Sequence, residues 1–533
     1  MTPLLTVGET LSAQARLQPE RIGARDLERS MTFREWNERA CRLANGLLGL
    51  GLAKGDRIAV LAYNRVEWAE IYTAVAKAGL VAVPINFRLT ASEALFICED
   101  CEVAALIVED ALIEVGEPIR DKLTLRPDRY IHIGERTPSA WRSYEDLMDE
   151  APVNEPDARV ASEDPWCLMY TSGTTGNPKG AIRGHQGMAM LAFMTEVELG
   201  LSRQDDALLV MPMCHANSLN FFTSFLYIGA TTTIFSRPSF DPALCLRTIG
   251  EMGVIFSSLV PTHFSMMLDV PEAERGEAGF ERVEKLMISS APAHVGLKRQ
   301  VMAMFPNSGL FELYGSTEAG WVTMLHPDEQ FDHLGTVGRE VVGSAPIKLL
   351  DDDGKEVPDG EPGELYSCGP YAFDGYWNLP EKTAEAFREN YLSVGDIALR
   401  DEDGFIRLID RKKNLIITGG ENVYPSEVEA VLAAHADVKD VAVIGTPDPK
   451  WGERVEAAVV VRDGAAISEQ DLVTWVKDKL AGFKRPRVIT FLEPEEMPRN
   501  ATGKILHRVL RDMLADHRSE GHERKRNESG EAK

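Results

Sequence analysis

Cysteine is scarce and scattered in this chain. Seven cysteines occur among 533 residues, and Cys98 and Cys101 form a C-x-x-C pair with no second pair and no nearby histidine. This spacing argues against a zinc site and instead suits residues of a helix. Free thiols in a large acidic chain are typical of a reducing compartment, so we expect a cytoplasmic protein.

Positive charge is also in short supply. Lysine and arginine number 57 against 83 aspartates and glutamates, which leaves a net charge of −26. A broad basic surface is therefore absent, and the composition argues against a nucleic-acid-binding protein and against docking on an anionic membrane. It leaves room for a local basic patch that binds an anionic cofactor.

Long hydrophobic runs are missing as well. No stretch reaches the roughly 18 apolar residues that a membrane-spanning helix needs. The first five residues, Met-Thr-Pro-Leu-Leu, do not join a basic segment to an apolar core. We therefore expect neither a signal peptide nor a transmembrane segment.

Short apolar runs alternate with longer amphipathic segments through most of the chain. Arg57–Ala62 has the pattern of a strand, Trp68–Ala78 that of a helix and Leu80–Pro84 that of another strand. The same rhythm returns between residues 207 and 314. Such alternation predicts an α/β fold with parallel sheets covered on both faces. The length suggests several domains, and we expect the large N-terminal domain to contain two parallel-rich αβ subdomains.

The pattern changes after about Val341. Residues 347–409 contain short β segments separated by Gly and Asp, which predicts a small antiparallel β subdomain. A charged break at residues 410–413 precedes a compact α+β segment. We therefore predict an N-terminal domain over 1–410, a small mobile C-terminal domain over 411–516, and a disordered, charged tail over 517–533.

A glycine- and hydroxyl-rich loop follows a predicted strand at residues 166–170. It is not a Walker A loop, since G-x-x-x-x-G-K-[ST] is absent. Its glycines let backbone amides turn toward an anion, and its hydroxyls and lysine suit phosphate oxygens. A polar surface loop has a similar composition. The candidate phosphate-binding residues are Thr171, Ser172, Gly173, Thr174, Thr175, Gly176 and Lys179.

Several separated motifs accompany this loop in a fixed order. They are Tyr-Gly-Ser-Thr-Glu at 314–318, Ser-Val-Gly-Asp at 393–396, Gly-Gly-Glu-Asn-Val-Tyr-Pro at 419–425 and Asn-Ala-Thr-Gly-Lys-Ile-Leu at 500–506. Together they resemble the adenylate-forming superfamily, which includes acyl-CoA synthetases, peptide-synthetase adenylation domains and beetle luciferases. The resemblance covers nearly the whole chain. It implies ATP, Mg²⁺ and coenzyme A as cofactors or co-substrates.

The resemblance also implies how the nucleotide is held. Tyr314, followed by Gly315, would stack on adenine, Thr317 would contact the α-phosphate, and Glu318 would help to bind Mg²⁺. These assignments suit the chemistry, because an aromatic face fits a purine and a carboxylate is a ligand that Mg²⁺ prefers. The adenine-side turn is usually G-G-A-P in the family. Here the corresponding turn contains Ser290, Ala291 and Pro292.

Further implied roles lie toward the C-terminal end. Asp396 matches an aspartate that binds both ribose hydroxyls, Arg411 an arginine that reaches ribose or phosphate, and Lys413 the hinge. Gly419 and Gly420 would let the backbone pass close to the pantetheine arm of CoA, and the same loop also suits the start of a helix at residue 425. Lys504 would contact the substrate carboxylate and the α-phosphate during adenylation.

The region around His215 corresponds to the family's acyl pocket. Amino-acid-adenylating domains carry an aspartate near this point to pair with the substrate ammonium group, and a histidine argues against an α-amino acid. Further pocket candidates equally suit a core position. They are Asn217, Asn220, Phe221, Phe264 and Met266.

The predicted function is an AMP-forming carboxylate–CoA ligase acting on a medium-length aliphatic, aryl or thioether-bearing acid, with a homodimer as a candidate oligomeric state. Two alternatives remain open at this point. One is an enzyme that loads a carrier protein instead of CoA. The other is a nucleotide-binding regulator without catalysis, against which the presence of both Glu318 and Lys504 argues.

Overall fold

The chain divides into two compact units. The computed structural model describes residues 6–171, 178–275, 280–289, 293, 295–419, 421–499 and 505–515. The first unit comprises Met1–Ile347 and Tyr366–Val394, and the second comprises Lys348–Leu365 and Gly395–Lys533. These units assign residues 348–365 and 395–410 to the second unit, whereas the sequence predicts a single division at residue 410. The boundary of the mobile part stays a prediction.

Helices and strands alternate along the first unit, as the sequence predicts. Their bounds are α1 (Val7–Leu17), β1 (Ile22–Arg25), β2 (Ser30–Thr32), α2 (Phe33–Gly49), β3 (Arg57–Leu61), α3 (Glu67–Ala78), β4 (Val81–Pro84), α4 (Ala91–Asp100), β5 (Ala105–Glu109), α5 (Ile113–Arg120), β6 (Tyr130–Ile133), β7 (Arg142–Ser143), α6 (Tyr144–Asp149), β8 (Pro165–Thr171), β9 (Lys179–Gly184), α7 (His185–Leu199), β10 (Ala207–Leu209), α8 (Ala216–Ile228), β11 (Thr232–Ile234), α9 (Pro242–Glu251), β12 (Phe256–Leu259), α10 (Pro261–Leu268), β13 (Lys285–Ser289), α11 (Val295–Met304), β14 (Gly309–Ser316), β15 (Gly320–Leu325) and β16 (Arg339–Glu340).

Parallel-rich sheets organise this unit. One sheet has the strand order β16-β15-β14-β13-β12-β10-β11-β1-β2, and its strands from β14 to β1 run parallel. A second sheet has the order β7-β6-β5-β3-β4-β8-β9, with only the β8–β9 hairpin antiparallel. The predicted α/β class is confirmed. The carboxyl ends of neighbouring parallel strands share one edge, where ligands commonly bind.

Local sequence determines where several helices begin and end. Thr32 accepts a hydrogen bond from the backbone N–H of Glu35, and the Glu35 carboxylate accepts one from the backbone N–H of Thr32. The same reciprocal cap begins α1 and α4. Helix α8 is followed by the capping residue Gly229, whose φ of 73° is the left-handed conformation that favours glycine.

Buried charge in the first unit is compensated by nearby arginines. Helix α3 is buried along its whole length, and its Glu70 side chain has 0% exposure. Arg29 and Arg39 donate to the same Glu70 oxygen at 2.6 and 2.7 Å. Such bonds offset the cost of removing a carboxylate from water, so this network is structural.

Strands β17 (Ala345–Leu350) and β18 (Gly363–Cys368) each contribute residues to both units. The first unit then continues with α12 (Pro380–Ala386), β19 (Phe387–Arg388) and β20 (Tyr391–Leu392). The strand pairings here are antiparallel, as predicted for residues 347–409.

The second unit is an α+β domain. Its remaining elements are β21 (Asp396–Arg400), β22 (Ile406–Arg411), β23 (Ile416–Thr418), β24 (Glu421–Val423), α13 (Pro425–Ala433), β25 (Val438–Asp448), β26 (Gly452–Val461), α14 (Glu469–Lys477) and β27 (Val488–Phe491). One sheet has the order β24-β23-β26-β25, and β27 pairs with β26. Buried side chains of α13 and α14, including Leu432 and Leu472, belong to its core.

Within the described ranges, no helix has both the length and the apolar character required to cross a bilayer. All seven cysteines carry free thiols.

Candidate active site

The β8–β9 hairpin and the turn after β14 meet at the carboxylate of Glu318. Thr171 ends β8 and pairs with Lys179 at the start of β9. The Thr171 hydroxyl donates to Oε1 of Glu318 at 3.3 Å. Glu318 lies in the turn between β14 and β15, so the structure joins the end of the candidate phosphate loop to the candidate magnesium ligand.

Tyr376 completes the environment of Glu318. Its hydroxyl donates to the same Oε1 at 2.8 Å, and Glu318 is only 8% exposed. Among the described residues, no hydrogen bond is made to the other carboxylate oxygen, Oε2. Neutral donors therefore orient the carboxylate and leave one of its oxygens available to a cation.

Lys179 brings a positive charge to this cluster. Its Nζ lies 3.9 Å from the centre of the Tyr376 ring, a cation–π contact. Burial lowers the pKa of Lys179, and the charge of Glu318 partly opposes this shift. A partly desolvated ammonium beside an open strand end is suited to an anionic phosphate.

Two hydrogen bonds fix the backbone of the turn between β14 and β15. Arg183 donates from Nη1 to the carbonyl of Thr317 at 2.8 Å, and the N–H of Phe373 donates to the carbonyl of Glu318 at 2.7 Å. A Cβ atom on Gly315 would lie 2.2 Å from the carbonyl oxygen of Gly320. The tight β14–β15 hairpin therefore requires glycine at position 315.

Residues 373–377 form a part of the site that the sequence does not predict. The N–H of Asp374 donates to Ile182 at 3.0 Å, and the N–H of Trp377 donates to Gly180 at 2.8 Å. This pairing places Tyr376 against Glu318. The only sequence signal is the run Gly-Tyr-Trp-Asn-Leu-Pro at 375–380, whose glycine, aromatics and proline indicate an ordered turn.

Ten candidate residues lie outside the described part of the chain. They are Ser172, Gly173, Thr174, Thr175, Gly176, Ser290, Ala291, Pro292, Gly420 and Lys504. Of the adenine-side candidates in the described ranges, Tyr314 is partly buried and belongs to β14.

A buried polar cluster lies close to His215. The His215 imidazole accepts from the backbone N–H of Asn217 at 3.3 Å and thereby caps α8. The Asn217 amide donates to Ser258 at 3.1 Å and to Ser289 at 3.0 Å. These serines belong to β12 and β13, so the cluster joins α8 to the carboxyl edge of the sheet.

The other acyl-pocket candidates differ in exposure. Phe221 is fully buried and packs against Phe256 with ring centres 4.7 Å apart. Phe264 and Asn220 are also buried, whereas Met266 is 39% exposed. Phe221 and Phe264 are therefore core side chains, and His215 and Met266 are the more accessible candidates.

In the second unit, the ribose candidates pair with each other. Asp396 and Arg411 face one another across the β21–β22 hairpin. Arg411 Nε lies 3.0 Å from Oδ1 of Asp396, and the aspartate side chain is 11% exposed. The hairpin register therefore brings both predicted ribose contacts to one point.

The hinge and CoA candidates also lie in the second unit. Lys413 belongs to a short 3₁₀ turn at Lys412–Asn414. Gly419 has a φ of 62°, and a Cβ atom there would lie 3.0 Å from the indole of Trp451. Trp451 is 41% exposed. Glycine at 419 thus lets a backbone segment lie directly against an accessible aromatic face.

The described residues do not form an all-protein metal cage. Within the described ranges, no group of three or more His, Cys, Asp or Glu side chains could enclose a metal. Mg²⁺ that arrives with a nucleotide usually takes one or two carboxylates and completes its shell with phosphate and water. Oε2 of Glu318, to which none of the described residues donates a hydrogen bond, fits this arrangement of one carboxylate with phosphate and water.

Comparison with known proteins gives matches along almost the whole chain. The model of the AMP-binding enzyme family matches residues 11–377, and that of the AMP-binding enzyme C-terminal domain matches residues 427–504.

Curated relatives differ in the acceptor and the acid that their names state. A feruloyl-CoA synthase of Amycolatopsis sp is 34% identical over 93% of this chain and 97% of its own length. A long-chain-fatty-acid–CoA ligase of Mycobacterium tuberculosis is 35% identical over 91% and 93% of the two chains. A fatty acid–[acyl-carrier-protein] ligase of Streptomyces coeruleorubidus is 32% identical over 96% and 97%.

Solved structures give the same picture. An anthranilate CoA ligase in complex with anthranoyl-AMP has a TM-score of 0.88 and 27% identity, and the match covers 97% of this chain and 99% of that one. The o-succinylbenzoate CoA synthetase of Bacillus subtilis in complex with ATP and magnesium has a TM-score of 0.81 and 28% identity, with 94% and 98% coverage.

Proposed function

The chain belongs to the family of AMP-binding enzymes, and we propose that it is an AMP-forming carboxylate–CoA ligase. The observation that carries the proposal is the environment of Glu318. Tyr376 and Thr171 donate to one of its oxygens, the other oxygen accepts no hydrogen bond from the described residues, and Lys179 lies over the Tyr376 ring. This arrangement suits the polyphosphate of Mg·ATP.

The first half-reaction joins the acid to AMP. An oxygen of the substrate carboxylate attacks the α-phosphorus of ATP, the bond to the β-phosphate oxygen breaks, and pyrophosphate leaves. Thr317 and Lys179 contact phosphate oxygens, and Tyr314 stacks on adenine. Mg²⁺, bound through Glu318, would neutralise phosphate charge. Lys504 offsets the repulsion between the two anions that must meet.

The second half-reaction makes the thioester. The CoA thiolate attacks the acyl carbon, the acyl–phosphate bond breaks, and AMP leaves. We propose that the C-terminal domain turns about Lys413, which withdraws Lys504 and brings the Gly419 backbone to the reacting centre. The accessible indole of Trp451 against Gly419 gives an apolar surface that suits the pantetheine arm.

The substrate is proposed to be an aryl or aliphatic acid without an α-ammonium group. His215, which caps α8, and the adjacent amide of Asn217 carry no negative charge that would pair with an ammonium group. The names of relatives include both an aryl and a long-chain acid. We therefore rank aryl and medium-to-long aliphatic acids ahead of acetate and amino acids.

A second acceptor is a carrier protein in place of CoA. One relative is named as an acyl-carrier-protein ligase, which favours this alternative specifically. The exposed Trp451 beside Gly419 suits the pantetheine arm of either acceptor. Both acceptors present the same phosphopantetheine thiol, so the distinction concerns the rest of the acceptor.

A panel of carboxylic acids tests the proposal. Purified protein is incubated with Mg·ATP and each acid, with CoA, with a phosphopantetheine-bearing carrier protein or with neither, and AMP and thioester are quantified. We expect acid-dependent AMP formation that rises with CoA and gives equimolar acyl-CoA. AMP formation without thioester on CoA, but with thioester on the carrier, would favour the alternative.

We further propose that the enzyme acts in the cytoplasm, since free cysteine thiols suit a reducing compartment. A homodimer remains part of the proposal, and measurement of the mass in solution tests it.

A further inference from the structure

A buried arginine, Arg183, contacts the turn at Thr317 and Glu318 in the first unit. Arg183 belongs to β9, pairs in register with Cys167 of β8, and is 3% exposed. Arginine is rarely buried unless a specific partner compensates its charge. Its contacts therefore indicate what the side chain does.

The guanidinium reaches the turn directly. Nη1 donates to the carbonyl of Thr317 at 2.8 Å, and Nη2 lies 3.5 Å from the sulfur of Met188. Burial lowers the pKa of Arg183, and the carboxylate of Asp374 opposes this shift most strongly, ahead of Cys167 and Glu318. Because an arginine keeps its proton in proteins, the group remains a buried cation.

Asp374 lies beside Gly184, the residue that follows Arg183. Burial raises the pKa of the Asp374 carboxyl, and Arg183 and the backbone N–H of Gly184 oppose this shift. A Cβ atom at position 184 would lie 2.6 Å from Oδ2 of Asp374. The glycine beside Arg183 therefore leaves space for the carboxylate, and residues 183, 184 and 374 form one built unit.

The next contact along the turn comes from the same segment. The N–H of Phe373 donates to the carbonyl of Glu318 at 2.7 Å. Consecutive carbonyls, those of Thr317 and Glu318, are thus held by Arg183 and by the neighbour of Asp374. A bond from a charged donor is roughly twice as strong as one between neutral groups. An apolar side chain would pack at position 183 without desolvating a charge, so packing alone does not explain the arginine.

We propose that Arg183, with Asp374 as its counter-charge, is a positioning residue that sets the Thr317–Glu318 turn for adenylation. This inference rests on the proposed function, because it assigns these two residues to the phosphate and Mg²⁺. Arg183 acts through the peptide carbonyl and touches no substrate. It should matter for the half-reaction that uses Mg·ATP and little for the attack of CoA on a finished adenylate.

The test compares Arg183→Met, Arg183→Lys and Asp374→Asn in the full chain. Pyrophosphate release without CoA reports adenylation, and thioester formation from supplied acyl-adenylate reports the second step. We expect Arg183→Met to lower the adenylation rate about a hundredfold, as for a misplaced catalytic group, and to raise the Mg²⁺ concentration needed for half-maximal rate. Thioester formation should stay within about threefold of the unsubstituted protein.

The conservative variants refine the test. Arg183→Lys keeps the charge and one donor and should recover part of the adenylation rate, whereas Asp374→Asn should lose less than Arg183→Met. Arg39→Met is the matched control, because it also removes a cation from a buried carboxylate, Glu70, but has no hydrogen bond to the site. It should lower the melting temperature without separating the two half-reactions.

Several results would overturn the inference. They are full adenylation in folded Arg183→Met, equal losses in both half-reactions, or the same profile in Arg39→Met. If the methionine variant does not fold, an unchanged Mg²⁺ requirement in both Arg183→Lys and Asp374→Asn would overturn it equally. Unsubstituted protein that forms no adenylate with any acid would instead overturn the proposed function, and this inference with it.

Discussion

Glu318 in the first unit and Asp396 in the second are both shielded carboxylates at candidate nucleotide contacts, yet their partners differ in charge. Glu318 accepts hydrogen bonds from neutral hydroxyls of Tyr376 and Thr171. Asp396 pairs with the guanidinium of Arg411 at 3.0 Å. We propose that the first carboxylate is arranged to bind a cation, whereas the second, which already has a cationic partner, is arranged to accept hydrogen bonds from hydroxyl groups.

This difference is the basis for a proposal about which part of the nucleotide each carboxylate binds. A carboxylate held by neutral donors attracts Mg²⁺ and hence the phosphates. A carboxylate that already has a cationic partner gains less from a metal and more from ribose hydroxyls. We therefore propose that the charge of the partner, rather than the carboxylate itself, determines which part of the nucleotide each carboxylate binds.

The largest effect should come from a residue of the second unit that acts on the first step. We expect Lys504→Ala to lower adenylation about a thousandfold, because a charge that stabilises the transition state is lost. Thioester formation from supplied acyl-adenylate should be spared, as measured by acyl-CoA formation. Lys479→Ala, which removes a lysine over the Trp475 ring, is the control. Equal loss in both steps would contradict the role of Lys504.

Glu318→Gln tests the charge of the first carboxylate while keeping an oxygen for Tyr376. We expect a loss of adenylation of about a hundredfold and a higher Mg²⁺ requirement, because an amide is a weaker ligand for the cation. The readout is pyrophosphate release as a function of Mg²⁺. Glu198→Gln, whose carboxylate contacts His326 instead, should leave this dependence unchanged. If the Mg²⁺ dependence of pyrophosphate release is unaltered in Glu318→Gln, the proposal that Glu318 rather than Asp396 binds Mg²⁺ is contradicted.

Asp396→Asn tests the second carboxylate. The KM for ATP should rise about thirtyfold, since hydrogen bonds to a charged acceptor contribute about 1.5–3 kcal/mol. The Mg²⁺ requirement should not change, and discrimination between ATP and 2′-deoxy-ATP should shrink. Asp401→Asn, in the turn of the same hairpin, controls for local destabilisation. A shifted Mg²⁺ requirement would show that the two carboxylates do not divide the nucleotide as proposed.

Tyr376→Phe should have the smallest effect. It removes one neutral hydrogen bond to Glu318 and retains the ring beneath Lys179, so we expect adenylation to fall about fivefold to tenfold. Tyr371→Phe is the matched control, because its buried hydroxyl donates to the carbonyl of Trp321 at 3.0 Å and not to Glu318. Equal effects of the two substitutions on adenylation would argue that Tyr376 only supports packing.

Much of the fold could be predicted from the sequence because the signals are local. The strand predicted at Arg57–Ala62 follows from a short apolar run, and the helix start predicted at residue 425 follows from its proline. The structure has both, as Arg57–Leu61 and Pro425–Ala433. The α/β class follows from the alternation of such segments. Residues 348–365 belong to the second unit although they precede part of the first unit in sequence. This could not be predicted, because it depends on which distant strands pair.

The site divides in the same way. Thr171, Lys179 and Glu318 carry local motifs, and the structure brings these three together. Tyr376 and Arg183 have no motif that indicates their partners. Their roles arise from contacts with residues 317 and 318, which lie far away in sequence, and only the folded chain shows them.

Whether the enzyme passes through an acyl-adenylate can be measured by a rapid-quench time course with a single turnover of ATP, an accepted acid and Mg²⁺. We predict that acyl-adenylate and pyrophosphate accumulate together without CoA. Addition of CoA should then convert the adenylate into acyl-CoA and an equal amount of AMP. Formation of ADP and phosphate, or acyl-CoA without a preceding adenylate, would contradict the proposed ligase.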